Sequence, residues 1–315
     1  MRGKNKIKQP QRYYTFSDYC KKVFNKKVYK LSLDGGFTCP NRDGTVGNLG
    51  CIFCSEGGSG DFAESITCGI DLAIEKAKER VSKKIHEDNP AYIAYFQSYS
   101  NTYASADYLE KLYTPILQRD DIVAISLATR PDCLPNETLE LIKKLNKIKP
   151  VFIELGLQTI HNSTAEFIRR GYPLETFNDA VNKLKKTGAQ IVVHLILGLP
   201  NESEEMILQT VNHVVKLKVD GVKFHLLHVL KNTDLATYYL QNKFTTLSKE
   251  EYINLLAKCI EALSPNTVVH RITGDAPKKL LIAPLWSANK KDVLNSINKY
   301  FNERNILQGK NYKES

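Results

Sequence analysis

The sequence has no long apolar segment, and none of its hydrophobic runs reaches the length of about 18 residues that a membrane-spanning helix needs. Its first 30 residues are polar and basic, so we expect no signal peptide. Internal repeats, low-complexity tracts and a Walker A phosphate loop are absent as well. We therefore expect a cytoplasmic protein that is neither a membrane protein nor a P-loop nucleotide hydrolase.

Acidic side chains are almost missing from residues 1–30, where Asp18 stands against ten lysines and arginines. This segment therefore carries nearly all of the net charge of +10. Four aromatic rings are interleaved with the cations: Tyr13, Tyr14, Phe16 and Tyr19. Such a pattern is typical of an arm that contacts phosphates and stacks on bases, and it is equally consistent with a solvated terminus.

The seven cysteines are an odd number for a disulfide framework, and a reducing compartment favours metal binding or redox chemistry instead. Four of them stand alone and are expected to be ordinary thiols: Cys20, Cys68, Cys133 and Cys259. The other three lie in one loop rich in glycine, asparagine and aspartate, which directly follows the first predicted strand. Their spacing, C-x11-C-x2-C, identifies this loop as the candidate metal centre.

Three thiolates leave one coordination position open, which suits an iron-sulfur cluster with one exposed iron. A structural zinc site normally has four ligands, so this alternative needs a fourth donor from elsewhere. Candidates for that donor are Cys20, Cys68 and His86. Phe53, next to the last cysteine of the loop, would either shield the metal centre or touch a bound cofactor.

After the loop, short apolar runs alternate with amphipathic segments, as in β/α units around a parallel sheet. The pattern predicts strands at 28–33, 91–96, 122–128, 151–157, 190–197, 221–227 and 267–272. Helices are predicted at 70–85, 106–117, 136–148, 166–170, 174–187, 204–218 and 249–263. Six β/α units and one further strand are too few for a closed eight-stranded barrel, so we expect an α/β fold with an open partial barrel.

Polar residues and glycines follow the carboxyl ends of these strands: Asn101, Thr102, Arg130, Gln158, Gly198, His228 and Asp275. Parallel α/β folds bind their ligands at this edge of the sheet. We therefore expect these residues and the cysteine loop to face one cavity.

The cysteine loop, with its Ile-Phe pair between the last two cysteines, and the six β/α units resemble the radical S-adenosylmethionine (SAM) enzymes. The resemblance covers residues 28–275. The strings at 94–104, 127–133, 154–159, 225–235 and 271–277 are similar to those of the bacterial YhcC/YtqA-type group. The eleven residues between the first two cysteines depart from the three of most members and match this group and, loosely, the elongator catalytic subunit. The resemblance implies a partial (β/α)6 TIM-type barrel at 28–275 with the cysteine loop at 34–60. A basic arm at 1–27 and a C-terminal strand and helix extension at 276–315 would flank it.

The resemblance further implies a 4Fe-4S cluster on Cys39, Cys51 and Cys54, with SAM chelating the fourth iron. An electron from a donor such as flavodoxin or ferredoxin would cleave SAM to methionine and a 5'-deoxyadenosyl radical. Phe53 would then contact the cofactor.

Other SAM contacts follow from a similarity to the oxygen-independent coproporphyrinogen oxidases. Asn101 and Thr102 would lie at the methionine end, and Gln158 and Arg170 would contact the ribose and the methionine carboxylate. His194 stands where that family has an aspartate for the ribose hydroxyls. Ala128 replaces an acidic residue of that family, and the resemblance implies that its contact moves to Arg130 or Glu154.

Candidate substrate contacts lie on the late strands: Lys223, His225, His228, Arg271 and Asp275. Three hypotheses for the function remain. The first is a radical SAM enzyme acting on tRNA, with a wobble uridine as target and the basic arm as a contact, but without acetyl transfer. The second is a radical SAM enzyme acting on a small metabolite. The third is a non-catalytic nucleic-acid-binding protein with a structural metal.

Overall fold

The computed structural model describes residues 11–58, 60 and 62–314. Its strands are β1 (Val28–Asp34), β2 (Glu64–Ser65), β3 (Ala91–Phe96), β4 (Ile122–Thr129), β5 (Val151–Gln158), β6 (Gln190–Leu197), β7 (Gly221–Leu226), β8 (Val229–Leu230), β9 (Val268–Arg271) and β10 (Leu281–Ala283). Its α-helices are α1 (Phe16–Phe24), α2 (Ile70–Ser82), α3 (Ala106–Gln118), α4 (Asn136–Ile148), α5 (Asn162–Phe167), α6 (Leu174–Lys185), α7 (Glu204–Lys216), α8 (Asp234–Leu240), α9 (Lys249–Ala262) and α10 (Lys290–Glu303).

One parallel sheet of eight strands organises the described residues, in the order β2-β1-β3-β4-β5-β6-β7-β9. The short strand β2 and strand β9 form its two edges, so the sheet is a curled, open half-barrel rather than a closed one. The predicted α/β partial barrel is therefore confirmed. A small antiparallel sheet of β8 and β10 lies outside it.

Alternation along the strands separates two sides of the sheet, because successive side chains point to opposite faces. On β1, Tyr29, Leu31 and Leu33 join the large apolar core shared with the surrounding helices. Lys30, between two of them, points to the inside of the barrel, where it meets a buried glutamate of β5. The helices thus cover the outer face, and the inner face is left for polar groups.

Helix α1 closes the amino-terminal end of the barrel. Cys20 belongs to a small apolar cluster with residues at the beginnings of β3, β4, β5 and β6, against which Phe16 and Tyr19 also pack. The Phe16 ring stacks on His270 with ring centroids 4.2 Å apart, and Tyr19 meets Phe152 edge to face. Tyr13 packs edge to face on a phenylalanine of α10.

These contacts correct the prediction that the aromatic residues of the basic segment form a base-stacking surface. Tyr13, Phe16 and Tyr19 are half-buried and pack against the barrel and α10, so part of each ring surface is occupied by the protein itself. Lys30 is likewise an internal residue and not part of an exposed arm. The first ten residues, with four of the basic side chains, lie outside the described residues.

Two further segments differ from the prediction. The short helix expected at 166–170 is α5, which begins and ends several residues earlier. The connection expected after the sixth strand contains β8 and α8. In the C-terminal segment, α10 contributes Val293, Ile297 and Phe301 to the same apolar core as the barrel helices.

Candidate cofactor and substrate site

The three cysteines of the loop after β1 line one cavity of about 190 Å³, which we call the cysteine cavity. All three thiols are half-buried. Gly50 directly precedes Cys51 and has a φ of +71°, and a Cβ at this position would lie 2.9 Å from Nε of Arg42. A glycine is therefore required for the turn that brings Cys51 and Cys54 back towards Cys39.

Two side chains that the sequence did not single out hold this loop in place. The amide of Asn41 donates to the carbonyl of Arg169 at 2.6 Å and lies 3.6 Å from Sγ of Cys51. The guanidinium of Arg42 donates to the carbonyls of Cys54 and Ser55 at 3.1 and 2.7 Å. Both interactions fix the loop backbone next to the thiols.

The donors of the zinc alternative do not join these thiols. Cys20 lies at the opposite, amino-terminal end of the barrel. His86 follows α2 and precedes Glu87, which accepts a hydrogen bond from Tyr29 at the beginning of β1, so it also lies towards that end. Cys68 is exposed in a 3-10 helix. In the described part of the chain, no three His, Cys, Asp or Glu side chains could hold a single metal ion.

The donor set fits an iron-sulfur cluster, whose ligands each bind a different iron and need not converge on one point. Burial raises the pKa of Cys51 to about 12, and the neighbouring Cys54 and Cys39 act in the same direction. Arg130 and Asn41 oppose this by favouring the thiolate. A metal cation would complete the deprotonation, because thiolates are the form that binds metal.

A second cavity, of about 720 Å³, adjoins the first and is called the wide cavity here. It extends from Lys30 and Ser32 of β1 to the segment after β9 and the start of α10. The two cavities share six lining residues: Phe53, Gln97, Gln158, His194, His225 and Arg271. A cofactor at the cysteines would therefore face a substrate in the wide cavity directly.

Glu154 of β5 lies inside the barrel with no exposed surface and has four hydrogen-bond donors. Its Oε1 accepts from Ser126 Oγ at 2.7 Å and from Lys30 Nζ at 3.3 Å. Its Oε2 accepts from His194 Nε2 at 2.9 Å and from Lys223 Nζ. Burial alone would raise the pKa of Glu154, but Lys223, Lys30 and His194 hold it well below its usual range.

Three histidines that line these cavities are neutral at neutral pH. Burial lowers the pKa of His194 and of His228 to about 4, and it lowers the pKa of His225 well below its usual range. The rings of His194 and His225 are 5.0 Å apart. Nε2 of His225 and Nε2 of His228 are buried and have no hydrogen-bond partner among the described residues.

Asn101 and Thr102, predicted at the methionine end of SAM, are buried and bonded to the protein. The Asn101 amide donates to the carbonyls of Phe96, Ser98 and Ala128, at 2.9 to 3.2 Å. The Thr102 hydroxyl bonds to Thr129 Oγ1 and to the carbonyl of Cys133. Both residues therefore shape the loop after β3, whose Ser100 lines the cysteine cavity.

The other predicted SAM contacts line the cysteine cavity. Gln158 has a φ of +67° at the end of β5, and its amide makes no side-chain hydrogen bond within the described residues. Arg170 donates to the carbonyls of Leu157, Thr159 and Tyr172, so its guanidinium is engaged by the backbone. Phe53 and His194 lie where the two cavities meet.

Of the predicted substrate contacts, His225 and Arg271 line both cavities, and His228 and Asp275 line the wide cavity. Lys223 is almost fully buried against Glu154 and Tyr95. Sequence reasoning missed several other residues that line or support these cavities: Lys30, Tyr95, Gln97, Ser126 and Tyr172. For Lys30, Tyr95 and Ser126, the available signal was their inward-facing position on a strand; Gln97 and Tyr172 lie in loops.

The chain matches two known protein families and a bacterial relative. Residues 43–214 match the family model of the radical SAM superfamily, and residues 219–303 match that of the Radical_SAM C-terminal domain. The chain is 43% identical over 300 residues to the protein YtqA of Bacillus subtilis, which covers 95% of this chain and 92% of that protein.

Two more distant similarities involve archaeal proteins. The chain is 26% identical over 175 residues to a tRNA uridine(34) acetyltransferase of Methanocaldococcus jannaschii, covering 55% of this chain and 32% of that protein. Its fold is similar to that of Elp3 from Methanocaldococcus infernus, with a TM-score of 0.67 at 18% identity, over 89% of this chain and 64% of the other.

No helix in the described part of the chain combines the length and the apolar character needed to cross a membrane.

Proposed function

The chain belongs to the radical SAM superfamily, and from this premise we propose that it modifies a nucleoside of tRNA, with a wobble uridine as its target. It is a radical SAM enzyme of the YhcC/YtqA type, and a 4Fe-4S cluster and SAM are its cofactors. What these cofactors supply when bound is reductive cleavage of SAM, which gives a radical able to remove a hydrogen atom from a substrate. The tRNA substrate is the part that goes beyond family membership.

Cys39, Cys51 and Cys54 would hold the cluster. They line one cavity together, and no other three cysteines in the described part of the chain do so. Arg42 and Arg130 place positive charge beside the thiolates. Such charge favours deprotonated ligands and influences the reduction potential of a cluster.

His194 is suited to bind a hydroxyl group of SAM. Because Glu154 is ionised, Nε2 of the neutral His194 must carry the proton that it donates to Oε2. Nδ1 then has a free lone pair and can accept from a ribose hydroxyl. This is the contact expected of an aspartate in the related coproporphyrinogen oxidases, made here by a neutral ring.

Gln158 would supply a second polar contact to SAM, since its side-chain amide lines both cavities. Gly156, two residues earlier, leaves room for that amide, because a Cβ there would lie 2.9 Å from Nε2 of Gln158. Asn101, Thr102 and Arg170 would act indirectly, by holding the strand ends around the cofactor.

The observation that carries the tRNA proposal is the composition of the wide cavity. Its volume of about 720 Å³ suits a nucleotide, and it opens directly onto the cysteine cavity. Its cationic lining residues are Lys30, Lys84, Arg271, Lys278 and Lys290, whereas Asp275 is its acidic lining residue. Lys30 is paired with Glu154 and Lys290 with Asp275, so the positive charge of the cavity comes from the other three cations. A positive cavity of this size favours a polyanion over a neutral metabolite. The similarity to a tRNA uridine(34) acetyltransferase supports the same choice.

The experiment that tests this proposal compares tRNA nucleosides, by mass spectrometry, from wild-type cells and from cells lacking the gene. We expect one modified nucleoside to disappear and to be restored by the wild-type gene and by Cys68→Ala, but not by Cys51→Ala. An unchanged nucleoside profile, with a small metabolite that depends on Cys51, would favour the second hypothesis. Full restoration by Cys51→Ala would favour a non-catalytic protein.

A further inference from the structure

Arg271 occupies the junction of the two cavities. It is the last residue of β9, and its side chain lines both the wide cavity and the cysteine cavity. In the register of the parallel sheet, its Cα is paired with that of Lys223 on β7. Two basic side chains therefore lie on neighbouring strands, with Lys223 buried and Arg271 31% exposed.

The buried carboxylate of Glu154 is not available to Arg271. Its two oxygens already accept from the four donors described above, and Lys223 is one of them. The Glu154 and Lys223 pair is neutral as a unit. The guanidinium of Arg271 consequently has no counterion at the centre of the barrel.

Asp275 gives Arg271 only a distant partner. Its Oδ2 lies 4.0 Å from the Arg271 guanidinium, beyond hydrogen-bonding distance, and the same oxygen accepts from Lys290 Nζ at 2.5 Å. Within the residues that the structure describes, the guanidinium of Arg271 makes no hydrogen bond. A guanidinium carries five N–H donors, so Arg271 can donate several hydrogen bonds to a ligand in the cavity.

Besides Asp275, two histidines lie in the cavity with Arg271. His225 and His228 line the wide cavity with buried Nε2 atoms that have no partner among the described residues. Burial keeps both rings neutral at neutral pH. Neither ring can therefore neutralise the guanidinium, but either can bond to a ligand held by it.

We propose that Arg271 binds an oxyanion of the substrate and thereby selects a nucleoside that carries one, either as a phosphate or as a carboxylate on the base. This inference rests on the proposed nucleoside substrate and specifies its chemistry. The planar guanidinium matches both oxyanions through paired hydrogen bonds, which a lysine cannot make. Arg271 is thus a specificity-determining residue, and His225 and His228 flank the bound group.

The test measures binding to the anaerobically reconstituted protein with its cluster, by calorimetry, for three probes. Uridine lacks an oxyanion, uridine 5'-monophosphate carries a phosphate, and orotidine carries a carboxylate on the base. We expect at least one of the two anionic probes to bind more tightly than uridine by about 10- to 100-fold. The anionic probe that binds more tightly than uridine shows which oxyanion the site accepts.

Arg271→Gln should abolish this preference and leave uridine binding unchanged, and Arg271→Lys should keep part of it. Arg304→Gln is the matched control, because Arg304 lies at the end of α10 against Tyr300 and changes the net charge equally. Cluster absorbance and circular dichroism check that each variant is folded. The inference is overturned if neither anionic probe binds better than uridine, or if Arg271→Gln weakens all three probes equally.

This result is independent of the tRNA experiment. An unchanged tRNA profile together with an Arg271-dependent preference for anions would remove the proposed tRNA substrate but keep the oxyanion site. A changed tRNA profile without that preference would keep the proposed tRNA substrate but remove the oxyanion site.

Discussion

Nε2 of His194 lies 2.9 Å from Oε2 of Glu154 on the inner face of the barrel. The outer face of the barrel packs against the helices in the large apolar core. The contact fixes the tautomer of the imidazole and turns its second nitrogen into an acceptor. Glu154 in turn is held ionised by the lysines on β1 and β7. This buried carboxylate of β5 thus connects to four other strands, β1, β4, β6 and β7, and sets the hydrogen-bonding character of the site.

Glu154→Gln should destabilise the protein by about 3–5 kcal/mol, because it leaves the buried Lys223 without its counterion. Replacing Lys223 by methionine in the same protein should recover much of the loss, since the unpaired charge is then removed. Urea unfolding of Glu154→Gln, of Lys223→Met and of the double variant measures this, with the exposed Glu166→Gln as control. Destabilisation by the double variant equal to the sum of the two single variants would contradict the pairing.

The buried histidines predict a loss of stability in mild acid. The pKa of His194 and of His228 is about 4 in the folded protein, below the ordinary value of about 6.5. As the pH falls below about 6.5, the unfolded state takes up protons that the folded state cannot, so the free energy of unfolding decreases until about pH 4. At about pH 5 the loss is about 2 kcal/mol per histidine.

His194→Gln should therefore reduce the difference in urea midpoint between about pH 7.5 and about pH 5. His86→Gln should not, because His86 is exposed. If both variants keep the same pH dependence as the wild type, His194 is not the buried neutral group described above.

Gln158→Ala should weaken SAM binding by about 5-fold, the effect of one lost hydrogen bond. The amide has no other side-chain partner within the described residues, so its loss should affect the ligand more than the fold. Equilibrium dialysis with the reconstituted protein measures the affinity, and Gln118→Ala, exposed at the end of α3, is the control. Equal SAM affinities for both variants would remove Gln158 from the cofactor site.

Removing residues 2–10 tests the remaining part of the basic arm. This segment carries Arg2, Lys4, Lys6 and Lys8, and its removal spares the packed helix α1. We expect weaker tRNA binding and a salt dependence reduced by about 0.7–0.9 in log–log slope for each lost phosphate contact. Lys299→Gln, which changes an exposed residue of α10, is the control. An unchanged affinity and slope would show that the segment does not contact tRNA.

The main strands were predictable to within a residue or two because fully buried parallel strands are nearly continuous apolar runs. Helix α1 was missed because its basic composition hid a packing face of Phe16, Tyr19 and Cys20, although their spacing of three and four residues is helical. That spacing was the signal that could have identified it.

The side-chain partners in the site were less predictable. Glu154 and Lys223 are 69 residues apart, and only the curl of the sheet brings them together. Asn101 and Thr102 have polar groups suited to a ligand. Sequence does not reveal that the Asn101 NH2 group and the Thr102 hydroxyl already bond to backbone carbonyls and a neighbouring hydroxyl, whereas Oδ1 of Asn101 has no partner within the described residues. The cysteine loop was identifiable because all three ligands lie in one short segment.

The most direct test of the central claim is electron paramagnetic resonance of the anaerobically reconstituted and reduced protein, with and without SAM. We expect the signal of a 4Fe-4S cluster, a change of that signal on adding SAM, and release of 5'-deoxyadenosine. Cys51→Ala should lose all three, whereas Cys68→Ala should retain them. A protein that binds one zinc ion, shows no cluster signal and releases no 5'-deoxyadenosine would contradict the account.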